Sequence, residues 1–208
     1  METSLIKIDS NGRYCRFPGI TIVSAIRSED LEIWTQLYNQ LEKCENLKEY
    51  YSLLPVESYH MTTSGLYNQK RDGGSNWEGL LNEKLPQLRQ LNKTLSEKAF
   101  SPEIIIDSLS LRKIGITLYL KLKEEHRQII QEVAEKFGLA DKVPKSFHIS
   151  LAYTYKVPAE DKLKEMKKQL KSSVDCIGKT FKLDSPKLCY YNDMTAFIPW
   201  DTEKSPFH

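Results

Sequence analysis

The chain lacks the features that mark several whole classes of protein. Its four cysteines are Cys15, Cys44, Cys176 and Cys189. They form no CxxC pair and no zinc spacing with the histidines, so neither a disulfide framework nor a zinc module is encoded. No stretch approaches the roughly 18 apolar residues of a membrane span. The N-terminal region has no long apolar run behind a basic start, so no secretory signal is expected. Charge of one sign is not in excess: 30 Lys plus Arg stand against 28 Asp plus Glu, a net +2. That balance argues against coating nucleic acid by bulk electrostatics, while leaving room for a local basic patch. There is no low-complexity tract and no solenoid period. There is also no HExxH and no clustered acidic pair, so neither metal nor cofactor is expected. The expectation is a monomer of a reducing compartment, the cytoplasm, with no membrane anchor and no obligate protein partner.

What is present starts with a repeated tripeptide. His60-Met61-Thr62 lies in SYHMTTSGLY and His148-Ile149-Ser150 in SFHISLAYTY. Each histidine follows an aromatic, and a hydroxyl residue stands two positions after it. Both segments read as strands, where residues i and i+2 share a face. His60 and Thr62 therefore point one way, as do His148 and Ser150. Two such strands side by side would bring two imidazoles and two hydroxyls to one cleft. Imidazole titrates near pH 6.5, so one ring can start neutral and the other charged. Hydroxyls can hold the non-bridging oxygens of a phosphate while protons move.

The 208 residues are 40% hydrophobic, enough for a sizeable core. Gly19 to Ile26 is β-branched and reads as a buried strand. Ser28 with Glu29 and Asp30 signals a helix start, and Trp34, Leu37, Tyr38 and Leu41 mark one helix face. Ser75 and Glu78 have capping-box spacing ahead of a stripe of Trp77, Leu81, Leu88 and Leu95, with Pro86 expected to kink or split that helix. Ile104–Leu111 and Gly115–Leu122 read as strands pairing across a tight turn. A helix from about Lys123 stops at Gly138, and a basic helix runs from about Ala159 to Ser172. Phe181 to Pro199 reads as further strands, with Asn192-Asp193 a hairpin turn. Both halves run strand, helix, strand, and each closing strand carries the motif. The expected fold is α+β, with two pseudo-symmetric lobes, each an antiparallel sheet with helices on its outer face, around a central cleft. Residues 1–15 are expected as a loose leader, 16–200 as the bilobal domain and 201–208 as a tail.

Two His-x-Thr/Ser motifs about 90 residues apart, each closing a strand-helix-strand unit, resemble the 2H phosphoesterase superfamily. The likeness covers about residues 16 to 200. Arg16-Phe17-Pro18-Gly19 and Ser58-Tyr59-His60-Met61-Thr62 look most like an uncharacterised branch. The chain departs from many members after Thr62, where Thr63, Ser64 and Gly65 stand in place of an apolar residue. The resemblance implies a metal-independent phosphodiesterase acting on a nucleotide or RNA 2',3'-cyclic phosphate or a short oligonucleotide. His60 and His148 would be its acid and base, and Thr62 and Ser150 its phosphate holders. Cleavage of 2',5'-linked or cyclic oligonucleotides, 3'-to-5' RNA exonuclease action, and non-catalytic nucleotide binding remain open alternatives.

Other residues are weaker candidates. Tyr67, Lys70, Arg71 and Tyr119 are possible substrate contacts, although Tyr67 has the wrong strand parity unless a bulge at Gly65 resets it. The same parity sets Tyr153 and Tyr155 opposite His148. Phe17, Tyr190 and Tyr191 fit a core better than a ligand site. His126 is expected to pack or to face solvent, the lysines from Lys162 to Lys171 to form a solvated face, and His208 to lie in the tail.

Overall fold

Alternating strands with one apolar face place the motif strands at the middle of a single curled antiparallel sheet. The computed structural model describes residues 7–170 and 179–207. Leader residues 1–6, His208 and the expected last turn of the basic helix, including Lys171, lie outside these described residues.

The strands are β1 (Gly19–Ala25), β2 (Tyr51–Leu53), β3 (His60–Asn68), β4 (Glu103–Arg112), β5 (Gly115–Leu122), β6 (His148–Thr154), β7 (Thr180–Lys182), β8 (Lys187–Tyr191) and β9 (Ile198–Pro199). Their order is β7-β4-β5-β6-β3-β1-β8-β9, with β2 also paired to β6. The two motif strands, β3 and β6, are thus neighbours. Outward from them, β3-β1-β8-β9 forms the first lobe and β6-β5-β4-β7 the second, the expected pseudo-symmetry. The C-terminal strands divide between the lobes: β7 closes the far edge of one, and β8 and β9 complete the other.

The seam between the lobes is narrow. β3 and β6 share one paired position, Met61 opposite Ile149, and both side chains are fully buried. About that pair the antiparallel register sets His60 across from Ser150 and Thr62 across from His148. The alternation that buries Met61 and Ile149 turns the four motif side chains to the other face.

Among the described residues four helices cover the buried face: α1 (Leu31–Lys43), α2 (Trp77–Glu97), α3 (Glu124–Lys136) and α4 (Glu160–Gln169). Their attachments cross the lobes. Trp34, Leu37 and Leu41 of α1 join Ile104, Leu118 and Phe181 in one core cluster. Val133 and Ala134 of α3 join Ile20, Leu66, Leu81 and Leu188 in the other. Each half of the sequence therefore supplies a helix to the sheet completed by the other.

Three expectations need correction. Pro86 does not split its helix, because α2 runs unbroken through it. Pro86 and Asn82 are both exposed, so water can serve the carbonyl that loses its partner. The Ser75–Glu78 box does not form: the helix starts at Trp77 with Asn76 at its N-cap and no side-chain cap bond. Ser75 is instead taken into a short turn over Gly74–Asn76. Finally, the described parts of the leader and tail are packed. Ile8 is fully buried and bridges to Tyr14, while Thr202 and Phe207 are buried at the other end, with Phe207 packed against Trp77 and Tyr190. Sequence polarity hid these contacts because each segment rests on only one or two apolar anchors.

Ile149→Ala would leave a void at the one paired position between β3 and β6. It should cost about 2–5 kcal/mol in urea unfolding, the range for truncating a fully buried Ile, Leu or Met.

Candidate functional site

His60, Thr62, His148 and Ser150 line one open cavity of about 160 Å³ on the concave face of the sheet. That is below the roughly 300–1,000 Å³ of sites that enclose a drug-sized ligand. The cavity suits one small group, with the rest of a larger molecule lying outside.

The two motifs are held alike. Tyr59 and Phe147, just before the histidines, are buried anchors that fix the start of each strand. His60 Nδ1 lies 2.7 Å from the Ser58 carbonyl, and His148 Nδ1 lies 3.2 Å from the Ser146 carbonyl. A carbonyl can only accept, so Nδ1 carries the hydrogen in both rings. In a neutral imidazole this leaves Nε2 as the lone pair available for chemistry. His60 and His148 are a diagonal pair across the seam, a relation that puts Cβ atoms about 7–8 Å apart. Burial lowers the pKa of His60 from its usual 6.5 to about 4, with Lys7 and His148 adding to the effect against the Ser58 hydrogen bond. His60 is therefore neutral at physiological pH.

Both strands carry a bulge just past the motif. Val23 pairs with Thr62 but Ile22 with Ser64, and Thr117 pairs with Ser150 but Ile116 with Ala152. Each inserted residue flips the alternation, so Gly65 and Tyr153 both face the cavity. This corrects the reading of Tyr153, which simple parity turned away from His148. Tyr155, beyond it, points elsewhere and donates its hydroxyl to the Lys48 carbonyl.

Lys7, from the supposed leader, is the one charged residue among the described residues of the lining, and none of these is a carboxylate. Its Nζ donates to Tyr153 Oη at 3.2 Å and stands 4.9 Å and 5.6 Å from the ring centroids of Tyr153 and Phe17. Tyr191, Met194 and Phe197 complete the first-lobe wall. Gly19 lies beneath Tyr191, where a Cβ would come within 2.2 Å of its hydroxyl. The ring of Phe197 packs at a tilt against His60, with centroids 3.8 Å apart, and against Tyr191 at 5.2 Å. No sequence motif marks Lys7 or Phe197. Both reach the site through tertiary contacts from segments far from the histidines.

The weaker candidates divide. Tyr119 pairs directly with His148, its ring 6.4 Å away, and carries the Arg112 guanidinium 5.3 Å from its centroid. It flanks the cavity without lining it. Tyr67 is packed on the second core cluster, away from the lining. Arg71 is bound to Asp72 at 2.9 Å and to the Leu66 carbonyl at 3.1 Å within its own turn, and neither it nor Lys70 lines the cavity. His126 packs as expected, with Nδ1 accepting from the Glu103 amide at 3.1 Å and Phe100 beside it. Among the described residues no group of three or more His, Cys, Asp or Glu is placed to hold a metal ion, and no helix is long and apolar enough to cross a membrane.

Residues 7–112 match the protein family 2H-phosphodiest, described as a domain of unknown function, DUF1868. The chain belongs to this family, within the 2H phosphoesterase superfamily. Uncharacterized protein 127L of Invertebrate iridescent virus 6 is 28% identical over 221 residues, covering 94% of each chain. Among solved structures, the conserved protein of unknown function ATU0111 from Agrobacterium tumefaciens aligns with a TM-score of 0.67 at 17% identity, over 93% of this chain and 89% of that one. E. coli LigT in apo form aligns with a TM-score of 0.54 at 10% identity, over 89% and 96%. These two structures share the fold.

Between pH 4 and 6.5 an unfolded His60 would be protonated while the folded one is not. Stability should therefore rise with pH through that window and be lost as pH falls through it. His60→Asn should flatten the rise in thermal midpoint, and NMR titration of the wild type should place the His60 imidazole near pH 4.

Proposed function

We propose that this member of the 2H family is a phosphodiesterase that works without a metal ion on a nucleotide or RNA end, either a 2',3'-cyclic phosphate or a short oligonucleotide. The observation that carries the reading is the convergence of both His-x-Thr/Ser motifs on one cavity, with one cation and no carboxylate among the described residues that line it. Such a lining favours an anion in which one unit has charge to neutralise and oxygens to bind.

In this reading the phosphate sits between the imidazoles. Thr62 and Ser150 donate hydrogen bonds to its non-bridging oxygens, and the Lys7 ammonium offsets the negative charge that grows there in the transition state. His60 is neutral at rest, which suits it to accept the proton of the attacking hydroxyl or water on Nε2. His148, protonated, hands a proton to the leaving oxygen. The attacking oxygen forms a bond to phosphorus, the bond to the leaving oxygen breaks, and the two imidazoles exchange roles as the protons re-equilibrate. With a cyclic phosphate the attacker is water and a ribose oxygen leaves. With a linear strand a 2'-hydroxyl can attack and leave a cyclic phosphate.

The test is turnover after EDTA treatment on a panel of 2',3'-cyclic nucleotides and of 3',5'- and 2',5'-linked oligonucleotides. Activity should survive chelation and drop at least about 100-fold in His60→Ala and in His148→Ala, the scale of a lost general acid or base. With His60 as base, the acidic limb of kcat/KM should fall near pH 4, because activity is lost as that ring protonates. Nucleotide binding without turnover of any substrate would replace this reading with a non-catalytic nucleotide-binding domain.

A further inference from the structure

The concave face of the first lobe continues past the motif cavity into a second cavity of about 220 Å³. The register explains its position. Ala25 pairs with His60, Val23 with Thr62 and with Lys187, and Cys189 with Pro199, so these residues share the concave face. His60 and Phe197 belong to the linings of both cavities and stand as the wall between them. In the other lobe the place matching Ala25 is held by Tyr119, the direct partner of His148. A small residue beside one histidine opens a pocket; a large one beside the other fills the corresponding space.

The chemistry of the second cavity differs from that of the first. Its floor is apolar, with Val23, Ala25 and Cys189, and its side wall carries Phe197 and Pro199. Burial pushes the Cys189 thiol up to about 12, so it is a neutral surface there. Among the described residues its charged members are the carboxylates Glu57 and Asp184 against one cation, Lys187, and Ser58 and Ser185 add hydroxyls. Two carboxylates disfavour a second phosphate. They accept hydrogen bonds from N–H and O–H groups, while the Phe197 ring offers a stacking face.

We propose that this cavity is a nucleoside subsite on the His60 side of the scissile phosphate, selecting a neutral base and sugar. The substrate is then a diester with a nucleoside on both sides: one in this cavity beside Phe197, and the other toward Tyr119 next to His148. The inference rests on the phosphate lying between the two histidines. A histidine acting as acid or base must reach an oxygen bonded to phosphorus. The group carrying the oxygen that His60 serves must therefore extend from the wall His60 forms, which is the mouth of this second cavity.

The experiment compares a dinucleoside monophosphate with the matching 2',3'-cyclic mononucleotide, for the wild type and for two cavity-filling variants, Ala25→Leu on the floor and Pro199→Trp on the side wall. One stacked base contributes a factor of about 5 to 150. The wild type should favour the dinucleoside in kcat/KM by about that factor, and both variants should reduce the preference toward parity while leaving cyclic mononucleotide turnover within about threefold. Equal use of the two substrates by the wild type, or an unchanged preference in both variants, would overturn the subsite. Should no substrate be turned over, calorimetry with a 2'-deoxy dinucleoside monophosphate and with a mononucleotide decides the matter separately from catalysis. Tighter dinucleoside binding that both variants abolish supports the subsite, and equal affinities overturn it.

Discussion

The site depends on one pairing, Met61 against Ile149, because that is the only paired position at which the two halves of the sheet meet along β3 and β6. Everything chemical sits one residue to either side of it. Both members are fully buried against the helices, so neighbours on the same strands must point outward. A slip of one residue would send both histidines into the core and two apolar side chains into the cleft. The core packing that fixes the register also aims the imidazoles, so site geometry and fold stability are set by the same contact. The matching carbonyl contacts at Ser58 and Ser146 then fix the ring faces, giving each histidine the same free nitrogen.

Around that axis the symmetry is close in the backbone and broken in the side chains. Both strands bulge at equivalent points, and the residues turned inward are Gly65 in one and Tyr153 in the other. Beside the histidines stand Ala25 and Tyr119. Lys7 and Phe197 have no counterparts, since each comes from a segment outside the repeated unit. A symmetric frame thus holds an asymmetric cleft, as required when one imidazole is to give a proton and the other to take one. The enclosure of His60 by Phe197 also provides the desolvation that keeps its ring neutral.

Local pattern carried a great deal of this. The i, i+2 placement of His60 with Thr62 and of His148 with Ser150 was legible because strand alternation is a local rule, and the apolar stripe of Trp34, Leu37 and Leu41 was legible for the same reason. The α+β class and paired lobes followed from repetition of the unit. What could not be read was non-local. Tyr153 was placed on the wrong face because a bulge is defined by a partner strand and not by the strand itself. Lys7 was assigned to a leader because only tertiary packing of Ile8 and Tyr14 shows that the segment is held down. Phe197 lay in a segment read only as further strands; its place beside His60 and Tyr191 is a tertiary contact. The helix exchange between lobes is invisible for the same reason, since an apolar stripe shows that a helix is covered but not by which sheet.

The division of the C-terminal strands has a consequence for how the chain reaches this state. The first lobe uses residues near the start of the chain, in β1, but its sheet is finished by β8 and β9 close to the other end. During synthesis the earlier half can form local helices, yet its sheet keeps an unpaired edge until β8 and β9 have left the ribosome. Such long-range closure slows folding and leaves a β-rich edge exposed to other chains in the meantime. Exchange of α1 and α3 between the lobes adds to the coupling, so neither half can finish and wait for the other. The cleft is accordingly among the last features to assemble, and it forms only when both halves are in place.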